Sequence, residues 1–407
     1  MSAANPRAAD GSPIVPLPRE AAPGDAASRF HAAFRRTSFF GCLDGLRALS
    51  ILAVVWYHTM PYGHDLVAGQ GFRGVTLFFV ISGFLIVTLI LRAKDAGSFS
   101  VPQFWGRRMF RIFPVYYAVL AAYVLLVWKV ESDPAARAAF FANLPAFLTF
   151  TSNWLVDLDN ARVIFYIAWS LAAEEQFYLV WPWVERWARG RAPLVVAGAV
   201  VLATQVAVLL LGPAARDALH WRILTSVPPA ILLGVALAHV LHDPVLFRRA
   251  WAVVGRRGSA SGAAVVALLA IAWSPGRGQA GDLAVAFAFT SLIAACVIRE
   301  DNDLVAFLRL RWLAWIGTVS YGMYLMHMLA VNVVRRVAAA AGVEGPWVDF
   351  VGGTLLAVGV ASLSFVTYER FFLRLKDRLL PARGGAPKVP AVAVPGAMGL
   401  KPEPGAA

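Results

Sequence analysis

Arg47 and His58 stand eleven residues apart in one apolar stretch. On a helix that spacing is three turns with about 20° of drift, so both side chains leave one face, roughly 16 Å apart along the axis. A fixed cation and a titratable base then share one wall, and a neutral imidazole can take a proton from an alcohol near physiological pH. A snorkelling arginine beside a satisfied buried imidazole is the bland alternative. Adjacent carboxylates follow, Glu174 and Glu175, within Trp169–Tyr178. They lie about 100° apart on a helix, so one can face an interior and the other its rim. A buried glutamate can orient an imidazole or stabilise its protonated form, whereas an acidic helix start would only complement the macrodipole. Ser320, Tyr324 and His327 follow i, i+4, i+7 spacing and share a face, for chemistry or for interhelical hydrogen bonding alone. Arg107, Arg108 and Arg111 form a basic cluster. Arg108 and Arg111 are one turn apart and could clamp phosphate groups, although for this cluster alone a plain basic anchor is the stronger reading. No Walker loop, Rossmann fingerprint, G-x-S-x-G or H-E-x-x-H motif occurs.

The elements that must hold these residues are membrane helices. The chain has 407 residues, 59% hydrophobic and 15% charged, with a mean hydropathy of +0.64, more apolar surface than a soluble domain of this size can hide. Apolar runs fall at about 46–62, 74–91, 112–130, 165–184, 192–211, 223–240, 259–274, 283–298, 312–334 and 350–369. Most approach the roughly 20 residues of a bilayer crossing, and each must be helical so that its backbone is satisfied internally. The expected fold is therefore an all-α, polytopic membrane helix bundle of about ten transmembrane helices. Ionisable groups within such runs are costly in lipid and normally face the bundle interior. With a cytoplasmic N-terminus, 27 Lys and Arg fall inside and nine outside, so both termini are expected in the cytoplasm. The net charge of +13 reads the same way, and no basic domain suits nucleic acid. The apolar segment 138–155 would flip every later loop if it crossed, so it is expected to re-enter or lie at the outer interface. Cys42 and Cys296 give neither a disulfide framework nor metal spacing. Residues 1–40 and 376–407 are expected to be largely disordered cytoplasmic tails around a domain at 41–375. No apolar core precedes Leu46, so no cleavable signal peptide is expected. His64, His239 and His242 are expected at span ends, interfacial rather than catalytic.

In order along the chain, these blocks resemble the acyltransferase-3 family of membrane O-acyltransferases. Leu43–Ala48 through His58 looks like the family's Arg-x10-His helix, and Gly74–Ile86 like its second-helix signature. Thr76 stands where the family commonly has Asp, so a minor acidic group is missing. Arg108-x-x-Arg111 followed by Pro114 is similar to the Arg-x-x-Arg element, and Trp169–Tyr178, Ser320–His327 and Tyr368-Glu369-Arg370 match later blocks. The resemblance covers about residues 40–375. It implies about ten helices in the bacterial inner membrane and transfer of an acyl group, often acetyl, from acyl-CoA to a hydroxyl, with no metal. Family acceptors include lipopolysaccharide, exopolysaccharide, peptidoglycan, Nod factors and macrolides. No appended hydrolase-like domain is expected on this chain. On this reading Arg107, Arg108 and Arg111 lie near the donor's phosphates. His58 is general base or transient acyl carrier, Glu174 or Glu175 orients it, and Arg47, Ser320, Tyr324 and His327 line the cavity.

A secondary transporter or flippase for a polar substrate would need a similar interior and would move substrate without acyl-CoA. A membrane sensor would need a signalling partner domain, and none is visible in the sequence.

Overall fold

A computed structural model describes residues 23–63, 67–158, 162–210 and 218–381. Within them the chain is helical, and no strand occurs among the described residues. The helices are α1 (Pro23–Arg36), α2 (Gly41–Thr59), α3 (Arg73–Asp95), α4 (Val101–Val130), α5 (Pro134–Leu148), α6 (Ala168–Trp187) and α7 (Ala192–Leu210). They continue as α8 (Leu219–Thr225), α9 (Pro229–His242), α10 (Pro244–Val254), α11 (Ser259–Trp273), α12 (Gly278–Ile298), α13 (Arg311–Ala341), α14 (Pro346–Ser364) and α15 (Arg370–Leu379). Among the described residues six helices are long and apolar enough to cross a membrane, or up to eight if each of two bent pairs is one span. The bent pairs are α1 with α2, at 71°, and α10 with α11, at 78°. Three helices that carry the ionisable residues, α2, α6 and α13, do not pass that test alone, because their polar residues lower the average and turn inward.

α2 is wedged between α3 and α13. A Cβ on Gly317 of α13 would overlap the Asp44 carbonyl of α2, so the two backbones touch without a side chain between them. α3 and α9 meet likewise, where Gly83 lies against the Ile231 carbonyl and Gly234 against that of Val80. In lipid there is little hydrophobic drive between helices, and close approach at small residues supplies the packing instead. Two apolar clusters flank this spine. One gathers α3, α9 and α12 around Phe84, Ile231 and Ile293, and the other gathers α2, α4 and α13 around Ile51, Tyr116 and Leu325.

Segment 138–155 forms α5 and a short turn of helix at Ser152–Leu155. At 15 residues α5 is too short to cross. It folds back on α4, where Tyr116 and Tyr117 donate to the carbonyls of Phe147 and Leu148 at 2.8 and 2.9 Å. The expectation of disorder through residue 40 fails at α1, while residues 1–22 lie outside the described residues, as do His64, Arg216 and 382–407. Phe30 and Phe34, one turn apart, give α1 an apolar face, and Phe30 stacks on Trp251 at 4.5 Å. His239 is buried rather than interfacial, because Glu185, fully buried, accepts from its Nε2 at 2.8 Å.

Candidate active site

The Arg-x10-His face of α2 opens onto the interior at both ends. Toward its C-terminus the His58 ring stacks against that of His327, with centroids 5.2 Å apart and planes 27° from parallel. The Tyr166 hydroxyl lies 2.6 Å from His58 Nε2, and Arg335 donates to the His58 carbonyl at 3.0 Å while pairing with Asp349 at 2.6 Å. Tyr166 follows Phe165, a buried residue at φ +68°. That region is unfavourable for a side chain of this size and is held here by contacts with Tyr116, Tyr123 and Phe147. The turn that presents Tyr166 is therefore fixed by its surroundings.

His327 is fully buried. Its Nδ1–H donates to the Tyr324 carbonyl at 2.7 Å, which leaves Nε2 as a lone-pair acceptor with no hydrogen-bond partner among the described residues. Ser320 and Tyr324 are buried on the same face of α13. The Tyr324 hydroxyl bonds to Ser170 at 2.7 Å, so the hydroxyl partner that spacing missed comes from α6.

Toward the N-terminus of α2, Arg47 pairs with Asp44 one turn earlier, at 3.5 Å. Arg108 and Arg111 lie within electrostatic reach of Arg47, and Arg108 also of Glu174 and Glu175. The Arg108 guanidinium sits 5.6 Å from the centre of the Tyr178 ring. Arg111 is closely surrounded by the bundle yet keeps solvent-accessible surface, with the Arg108, Arg47 and Asp44 charges around it. Glu174 bonds to both Ser82 and Tyr178. Glu369 reaches the same chamber through a π-helical turn, Phe365–Glu369, that separates α14 from α15. Its Oε1 lies beside Gly322, and it feels the Arg111 charge. Such π turns recur at functional sites.

Two expected contacts do not form. Neither Glu174 nor Glu175 shows a hydrogen bond to His58; Tyr166 takes the orienting place instead, because α6 directs the two carboxylates to α3 and α4. Arg107 turns away from Arg108 and Arg111 and pairs with Asp377 of α15 at 3.2 Å, since consecutive residues on a helix point about 100° apart. Neither Tyr166 nor Ser82 stands out individually in the sequence: both fall within apolar runs, 165–184 and 74–91, and Ser82 also within the second-helix signature. Among the described residues no three His, Cys, Asp or Glu side chains form a metal-ligating group.

The chain is 30% identical over 316 residues to the peptidoglycan O-acetyltransferase OatA of Listeria monocytogenes, an alignment covering 72% of this chain and 50% of the relative. It is 29% identical over 308 residues to the putative peptidoglycan O-acetyltransferase YrhL of Bacillus subtilis, covering 70% and 47%. A putative O-acetyltransferase of Staphylococcus aureus is 32% identical over 157 residues, 37% of this chain and 25% of the relative. The chain thus spans about half the length of the first two relatives. No solved structure matches it significantly. The profile of the acyltransferase-3 family, described as an acyltransferase domain, matches residues 40–366, and the chain belongs to that family.

Proposed function

We propose that this chain is a membrane O-acyltransferase that moves an acyl group, acetyl in the first instance, from acyl-CoA to a hydroxyl of a cell-wall or surface glycan. The observation that carries the reading is the His58 imidazole, gripped by Tyr166 and stacked on His327 at one end of a wall whose other end gathers Arg47, Arg108 and Arg111. The names of the relatives support acetyl transfer to peptidoglycan. Arg108 and Arg111 fit an anionic donor, for they gather with Arg47 within electrostatic reach of one another, and Arg107 does not share that place.

In the reaction a His58 ring nitrogen accepts the proton of the acceptor hydroxyl. The hydroxyl oxygen bonds to the thioester carbonyl carbon, the carbon–sulfur bond breaks, and the imidazolium returns the proton to the leaving thiolate. Tyr166 positions the ring. The guanidiniums stabilise charge on the donor side, and Glu174 and Glu175 balance them. As a transient carrier His58 would take the acyl group first and release it to the hydroxyl.

We further read ten crossings, the six apolar helices with α2, α6, α11 and α13, in the bacterial inner membrane with both termini cytoplasmic, on the charge asymmetry of the loops. The test is acetyl-CoA-dependent O-acetylation of glycan in membranes. His58→Ala is expected to lower it about 10²- to 10⁴-fold at unchanged protein level, and retained activity overturns the role of His58.

A further inference from the structure

A hollow of about 490 Å³ opens beside the C-terminal ends of α3 and α6, lined by Lys94, Gly97, Phe99, Arg186 and Trp187. Both ends fall on the side the charge count places in the cytoplasm. Two features separate it from an ordinary basic rim. The first is the anchoring of Lys94. Its ammonium donates to the Glu185 carbonyl at 2.6 Å and lies 3.5 Å from the Glu185 carboxylate. That carboxylate is fully buried and held by His239 at 2.8 Å and Trp181 at 3.0 Å. A snorkelling lysine needs no such support, and this one is fixed with donor capacity left for the hollow.

The second feature is what lies behind the hollow. Trp187 is 71% exposed and stacks on Trp183 at 5.0 Å. Trp183 meets Trp105 edge-on at 5.7 Å, and Trp105 donates to the Tyr178 carbonyl at 3.0 Å. The Tyr178 ring underlies Arg108. Three tryptophans in ring contact, joined by one hydrogen bond to the Tyr178 backbone, thus lead from the hollow toward the arginines of the candidate active site. From Trp187 to Tyr178 this path follows nine residues of α6, roughly 14 Å.

Resting on the proposed acyl-CoA dependence, we propose that this hollow binds the nucleotide end of the donor, its ribose phosphate on Lys94 and Arg186 and its adenine against Trp187 and Phe99. Charge and shape fit: two cations converge beside flat aromatic surface, and the occupant's remaining length can follow the tryptophans inward. Phosphate on paired cations gives charge-assisted hydrogen bonds, and a purine on tryptophan gives stacking.

The test is equilibrium binding of labelled acetyl-CoA to the full chain in phosphatidylcholine nanodiscs, with CoA and dephospho-CoA as competitors. The wild type is expected to bind, with dephospho-CoA competing about tenfold more weakly. Arg186→Gln, which leaves Lys94 in place, is expected to weaken acetyl-CoA binding about threefold and to narrow the preference for the 3′-phosphate by the same factor, and Trp187→Ala to weaken both competitors equally. Both side chains are exposed, so the variants retain the fold. Wild-type affinity and preference in both variants overturns the site and leaves the proposed function standing. No acetyl-CoA binding by the wild type overturns the donor reading and this one with it. Unchanged donor binding with loss of co-purifying anionic phospholipid from Arg186→Gln marks a lipid headgroup site and overturns the proposal.

Discussion

At the residue scale the candidate active site is a matter of which side chain holds which. The His58 ring is aligned by a tyrosine rather than a carboxylate, so Tyr166→Phe is expected to lower turnover about tenfold, as loss of one orienting hydrogen bond does, with donor KM unchanged. Steady-state kinetics in membranes check it. Arg107 and Arg108 are adjacent, yet one bonds to α15 and the other lies over Tyr178. Arg108→Ala is expected to raise donor KM tenfold or more and Arg107→Ala to leave it within about twofold, a contrast that equal effects would deny. Outside the spans, hydrogen bonds from Arg299 hold the Asp301 carboxyl below its ordinary value of 3.8. A depressed folded value means the bond's stabilisation is complete above 3.8 and lost as pH falls through the lower folded value. The Tm gap between wild type and Asp301→Asn should therefore be widest near neutrality and close in acid.

At the element scale, α2 depends on having no side chain where it crosses α13. Gly317→Val would place carbon against the Asp44 carbonyl, and overpacking of this kind costs about 1–3 kcal/mol. The expected outcome is a lowered Tm and less monodisperse protein on size exclusion, whereas Gly359→Val, which meets open space, leaves both unchanged. The helices were largely legible in the sequence: the run at 74–91 became α3 and that at 192–211 became α7, because apolar length alone defines such elements. α1 was not, since its apolar face consists of little more than Phe30 and Phe34 and becomes a reason to fold only when Phe247 and Trp251 are in place. The Arg47–His58 face and the Ser320–His327 stripe were legible from helical period. The stack of His58 on His327 was not, since it joins residues on separate helices.

At the scale of the whole molecule, the orientation proposed from the charge count has a direct check. In an otherwise cysteine-free chain, cysteine at Arg189 should react with an impermeant maleimide only in inside-out vesicles, and cysteine at Arg277 only in right-side-out cells. The reverse pattern would invert the molecule and move the Lys94 hollow to the wrong face for a cytoplasmic nucleotide.

The seating of α2 against α13 also sets an order of manufacture. The segment carrying Asp44 and Arg47 leaves the ribosome early, and the helix whose glycine receives it is made some 260 residues later. Until then a strand of charge sits in the membrane with half its walls unbuilt, at a penalty of about 2.5–3.5 kcal/mol for each exposed ion. A newborn chain would wait in a provisional, wet arrangement, and stop codons before Arg311 would strand it there as substrate for membrane proteases.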